Sequence, residues 1–263
     1  MLKRSFLSCV LCLSIVLFSG CSYAADPSKD VHKETFNQHS GERVIYHTQK
    51  GKLTHESVED TVTVFTDDVE KSDIHTDVYI EAQLNEKSLM YALGDWEVHV
   101  LQNGDLFLAD LNGDGVDEIV LFMEVTGNGG AIAQVFKVEE NEIFLLHDLN
   151  EVDIDLETIY QDGYIMLLEN ASVGFSEGIH IKKEFGPEHF DKNGRFTGAS
   201  QVFLDPIHAG FVDSSTNLEY PTISCKRYIR LTNYLGELET TFQYDPETES
   251  LVLISMDMEA KAF

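Results

Sequence analysis

From about residue 57 onward, apolar and polar side chains alternate with a period of two, as in Thr61-Val62-Thr63-Val64-Phe65 and Glu97-Val98-His99-Val100-Leu101. Successive strand side chains point to opposite faces, so this alternation predicts half-buried strands, not helices. The same pattern predicts strands at Asp77–Glu81, Leu106–Ala109, Ile119–Met123, Ala131–Lys137, Ile143–Leu146, Tyr164–Leu168 and Gly178–Ile181. It continues at Gln201–Phe203, Tyr228–Leu231, Glu239–Tyr244 and Leu251–Ile254. Turn-forming stretches separate them: Gln102-Asn103-Gly104-Asp105, Thr126-Gly127-Asn128-Gly129-Gly130, Glu139-Glu140-Asn141-Glu142, Asp191-Lys192-Asn193-Gly194 and Asp245-Pro246-Glu247-Thr248. Only Asn85 to Leu93 reads as a helical turn or two. The expected fold is therefore all-β, with antiparallel sheets in a propeller-blade-like or sandwich-like arrangement and little helix. The expected organisation is one β module over 57–150 and a second over 151–263, packed on the first.

The first 56 residues read differently. Lys3 and Arg4 precede an apolar run through Leu17 and Phe18, the layout of an export signal over 1–20. Phe18-Ser19-Gly20-Cys21 resembles a bacterial lipobox, in which the cysteine is acylated and becomes the new N-terminus; Phe18 stands where Leu, Val or Ile is usual. The alternative is ordinary cleavage after Ser22-Tyr23-Ala24, giving a secreted protein without an anchor. Residues 21–56 are polar and form the expected linker, with a first short strand at Val44 to Thr48.

Composition sharpens this picture. Forty-six acidic against 18 basic side chains give a net charge of −28, and loss of Lys3 and Arg4 with the leader makes it −30. Such a chain is repelled by phosphate backbones and anionic lipid, which excludes nucleic acid as a partner and leaves a lipid anchor as the one route to a membrane. A hydrophobic content of 43% with 16 Phe and 10 Tyr is enough to build a core and excludes disorder over the whole length. Of four cysteines, Cys9 and Cys12 leave with the signal and Cys21 is acylated or lost, so Cys225 remains alone and is expected as a half-buried strand residue. His32, His39, His47 and His55 recur at spacings too wide for one metal site and read as exposed linker histidines.

The chain contains none of the contiguous signatures of a nucleophile elbow, a zinc-protease helix, a phosphate loop or a dinucleotide fold. The carboxylate pairs Asp153 with Asp155 and Glu118 with Glu124, and the acid–His neighbours Asp205-Pro206-Ile207-His208 and Pro187-Glu188-His189, are the available hydrolase candidates. Among 46 acids such neighbours arise by chance, and no catalytic residue is assigned.

One segment carries specific chemistry. Asp110-Leu111-Asn112-Gly113-Asp114-Gly115-Val116-Asp117-Glu118 puts side-chain oxygens at positions one, three, five and nine, with glycine at six. Calcium is a hard ion that takes six to eight oxygen ligands, and a loop of alternating carboxylates around a sharp glycine turn supplies them. The expected set is Asp110, Asn112, Asp114, the Val116 carbonyl and Glu118. Position twelve is Leu121 and the flanks read as strands, so the segment is no helix-flanked EF-hand. It resembles the strand-loop-strand calcium motif of FG-GAP and VCBS-type repeats, although that family usually has Asp where Glu118 stands. The resemblance implies a single calcium-loop unit of about forty residues from Gly104 to Leu146, in an exported lipoprotein. The function expected is a calcium-stabilised surface module that binds an unidentified protein or glycan. The alternatives are a cell-envelope hydrolase and a structural or sensory lipoprotein.

Overall fold

The structure, a computed structural model, describes residues 43–56, 59–67, 74–85, 87–99, 104–125, 130–181, 190–198, 202–215, 218–231 and 234–260, with the backbone alone for 74–76 and 94–99. The export signal, Cys21, His32, His39, Thr126 to Gly129 and Pro187-Glu188-His189 lie outside the described residues. Everything below concerns the unit Ser40–Phe263.

Two antiparallel four-stranded meanders make up the first part. One comprises β1 (Val44–Gly51), β2 (Asp60–Thr66), β3 (Ile74–Leu84) and β4 (Lys87–His99). The other comprises β5 (Gly104–Ala109), β6 (Glu118–Val125), β7 (Gly130–Glu139) and β8 (Glu142–Asp148). A single backbone pair, Val98 with Val125, links them. β1 also runs beside β5, and β4 beside β8, so the two meanders face each other as a sandwich. Val62, Val64, Ile80, Ile119, Leu121 and Phe136 fill the space between them.

The alternation explains why these strands sit where they do. On β6 the odd residues Ile119, Leu121 and Met123 enter that core, while Val120 and Phe122 enter a second one on the opposite face. A strand covered on both faces has no polar side, which is why Ile119–Met123 is an unbroken apolar run. The cover on the far face is a four-stranded sheet of β12 (Phe203–Asp213), β13 (Thr222–Arg230), β14 (Tyr234–Asp245) and β15 (Ser250–Ala260). Its inner face supplies Ile207, Ile223, Cys225 and Phe242. Further along the same face, Ile229, Leu235 and Leu238 pack on Met166, Leu168 and Ile179 of a three-stranded sheet. Those strands are β9 (Glu157–Gln161), β10 (Ile165–Asn170) and β11 (Phe175–His180).

The boundary expected near residue 150 does not divide the core. Leu149 is fully buried with Phe122 and Phe242, and the buried guanidinium of Arg227 on β13 donates through Nη2 to the Leu149 carbonyl at 2.6 Å. Burial holds that guanidinium below its ordinary pKa.

The described residues are all-β and contain no helix, the class that the period-two pattern predicts. Asn85 to Leu93 is a correction. The segment is the β3–β4 hairpin, with Asn85 at φ 43 in the turn and Leu89, Tyr91 and Leu93 alternating toward the core. Asp205-Pro206-Ile207-His208 lies within β12. β12 is an edge strand with register shifts on both sides of Ile207, and a bulged edge is where a sheet tolerates proline.

Candidate metal centre

Asp110 to Asp117 form the connection of the β5–β6 hairpin, closed by the pair Ala109–Glu118. The loop winds around its own side chains. Asp110 accepts hydrogen bonds from Gly113 N at Oδ1 and Gly115 N at Oδ2, both at 2.8 Å. Asn112 Oδ1 accepts from Asp114 N at 2.9 Å, and Asp114 Oδ1 from Val116 N at 2.8 Å. These turns require a left-handed backbone at Gly113 (φ 78) and Gly115 (φ 83), which glycine adopts without steric cost.

Glu118 closes the loop from beneath. The residue is 4% exposed, and its carboxylate accepts from Leu111 N at 2.8 Å through Oε2 and from Asn112 Nδ2 at 2.9 Å through Oε1. Burial, reinforced by the charges of Asp114 and Asp110 and opposed by the Leu111 hydrogen bond, pushes its pKa up to about 7. Glu118 is thereby held in a desolvated place at the foot of the loop.

The loop is anchored on two sides. Asp117 N donates to Lys52 O at 2.7 Å, and Lys52 N donates back to Asp117 Oδ2 at 2.7 Å, tying the loop to the β1–β2 connection. On another side Tyr220, from the β12–β13 connection, lies against Gly113; a β-carbon there would be 2.8 Å from its ring. Tyr220 in turn packs edge-on against Tyr244 of β14 at 6.0 Å. Asp114, Val116 and Glu118 border an open cleft.

The donor chemistry fits a hard cation. A carboxylate or amide oxygen has two lone pairs, so each oxygen that accepts one loop N–H keeps a second for an ion. Among the described residues no three His, Cys, Asp or Glu side chains stand gathered around one point. The candidate set instead combines three carboxylates with the Asn112 amide oxygen and the Val116 carbonyl, all from the β5–β6 connection and the first residue of β6.

The remaining sequence candidates are dispersed. Glu118 and Glu124 lie six residues apart on β6, roughly 20 Å at the rise of a strand. Asp153 and Asp155 are exposed in the β8–β9 connection. His47 is on β1 and His55 is exposed in the β1–β2 connection. Cys225 is fully buried, not half-buried, and burial pushes its thiol up to about 12. His208 pairs not with Asp205 but with Glu237 of β14, Nε2 to Oε2 at 3.1 Å, and stacks on Tyr228 at 4.0 Å. Asp205 pairs with Arg230. Both partners come from other strands, and nothing in the sequence near His208 signals them. No family model matches the chain, and no curated protein or solved structure is similar enough to carry an argument.

Proposed function

We propose that the chain is an exported, lipid-anchored surface protein that acts as a binding or interaction module, with a calcium ion as its structural staple. Asp110, Asn112, Asp114, the Val116 carbonyl and Glu118 would hold the ion. When bound it supplies positive charge to a loop that otherwise confines three carboxylates within nine residues, and it stabilises the native state because the unfolded chain has no such site. The observation that carries this reading is the anchoring of the loop between Lys52 and Tyr220. Stiffening that loop would fasten the β1–β2 connection to the β12–β15 sheet. The strand-loop-strand frame with glycine at both left-handed positions supports the likeness to a single FG-GAP or VCBS-type unit.

The hydrolase alternative needs two carboxylates flanking a substrate cleft, and neither sequence-identified pair is so arranged. A melt in calcium against one in chelator tests the staple. Metabolic labelling with a palmitate analogue tests the anchor: incorporation abolished by Cys21→Ala is expected, and an unlabelled mature protein beginning at Ala25 would refute it.

A further inference from the structure

At one end of the β1–β8 sandwich lies a cleft of about 730 Å³. Its walls are four connections: β1–β2, the β3–β4 turn, the β7–β8 turn and the Asp110–Glu118 loop. Leu53, Leu84 and Val138 provide apolar floor. Both hairpin turns hold non-glycine residues in left-handed backbone, Asn85 at φ 43, Glu140 at φ 49 and Asn141 at φ 69. Such conformations cost energy and persist where the surroundings fix them. Here Lys87 Nζ donates to Asn141 Oδ1 at 2.8 Å and ties one turn to the other across the cleft.

We propose that this cleft binds a neutral saccharide through a pair of vicinal hydroxyls, a site that rests on the calcium reading of the loop. Charge selects the ligand class. Lys87 and Lys137 face Glu56, Asp114, Glu118, Glu139 and Glu140, and Lys137 is already paired with Glu139 at 2.5 Å. With a dication in the loop these carboxylates and lysines leave the wall close to neutral, which gives neither an anion nor a cation an electrostatic advantage. A polyol suits both kinds of wall group, since each hydroxyl donates to a carboxylate and accepts from an ammonium or amide. Coordination selects the contact. At seven or eight coordination, five protein donors would leave two or three positions for other oxygens. Tyr220 closes one side of the loop at Gly113, whereas Asp114, Val116 and Glu118 border the cleft. Two adjacent sugar hydroxyls would supply oxygens of the kind such an ion takes.

The test is affinity electrophoresis of the full mature chain through gels containing mannan, galactan or dextran, with a heparin gel as the anionic control. Retardation by at least one neutral polysaccharide in calcium, abolished by chelator and by Asp114→Ala, is expected. Asn141→Gly provides the second arm: glycine accepts the left-handed backbone, so the turn is kept while an amide and its hydrogen bond to Lys87 are lost from the wall. It should weaken retardation roughly tenfold, the worth of about one hydrogen bond, and leave the calcium shift of the melt unchanged. A calcium-shifted melt with no retardation in any neutral gel overturns the saccharide site and leaves the staple standing. Absence of the calcium shift refutes both. Retardation that survives chelator or is confined to heparin also overturns the proposal.

Discussion

The ring of Phe122, at the centre of β6, lies directly against the α-carbon of Gly210 on β12, so that a β-carbon at 210 would fall inside the van der Waals envelope of the ring. This contact seats the β12–β15 sheet on the outer face of the β5–β8 meander. Gly210→Ala should therefore destabilise the protein by about 1–3 kcal/mol, the range for overpacking a core. Gly198, with nothing within 4 Å of the corresponding position, provides a control that should change little on substitution by Ala. Urea unfolding measures both. The double variant Phe122→Leu with Gly210→Ala should recover part of the loss, and strict additivity of the two would show that the contact is not the cause.

Gly210 also marks the limit of what sequence alone could reveal. Alternation is a local property, so β2, β6, β7 and β14 were legible from their own residues. Where packing partners lie far apart in the chain, local text misleads. Asn85-Leu93 resembled a helical turn until the core on one side of β4 gave Leu89, Tyr91 and Leu93 their alternation, and nothing local to Pro206 shows its place on a bulged edge strand, which depends on β13. The Asp110–Glu118 loop was readable because all its donors fall within nine residues. The cleft beside it was not, since Leu53 of the β1–β2 connection, Lys87 at the start of β4 and Asn141 of the β7–β8 turn are brought together only by the fold.

Cys225 should be chemically silent. It is fully buried between the sheets, and its thiol is pushed up to about 12 mainly by burial, with the Arg227 charge opposing and Glu239 adding to the rise. Thiolate is the reactive form, so iodoacetamide at pH 8 should leave the Cys225 peptide unmodified in the native protein and label it fully in urea. Rapid native labelling would mean that this core opens readily.

Glu118 should make the calcium-free protein less stable as pH rises. Its pKa is raised from an ordinary 4.5 to about 7, so between those values the folded state keeps a proton that the unfolded state has released. The stabilisation is fully present below about pH 4.5 and is lost as pH climbs through 7, on the order of 3 kcal/mol in total. Chelated protein melted at pH 5 and pH 8 should show that decline, and Glu118→Gln should flatten it. With saturating calcium the ion favours the carboxylate and the decline should shrink. An identical pH profile in Glu118→Gln would assign the slope to other groups.

The decisive measurement concerns calcium itself. Binding that is selective for the native state adds RT ln(1 + [L]/Kd), about 2.7 kcal/mol at a hundredfold excess over Kd. For a domain of this size each kcal/mol moves the midpoint by about 2–4 °C, so the wild type should melt roughly 5–10 °C higher in calcium than in chelator. Asp110→Ala and Asp114→Ala should each abolish the difference. The absolute midpoints of the variants are not the readout, because Asp110 also caps Gly113 N and Gly115 N and its loss weakens the calcium-free loop as well. The shift between the two buffers separates these effects, since capping is lost equally in both. A wild type that melts at the same temperature in each buffer, or variants that keep the full shift, would make Asp110 to Glu118 a self-capped acidic turn and remove calcium from the account.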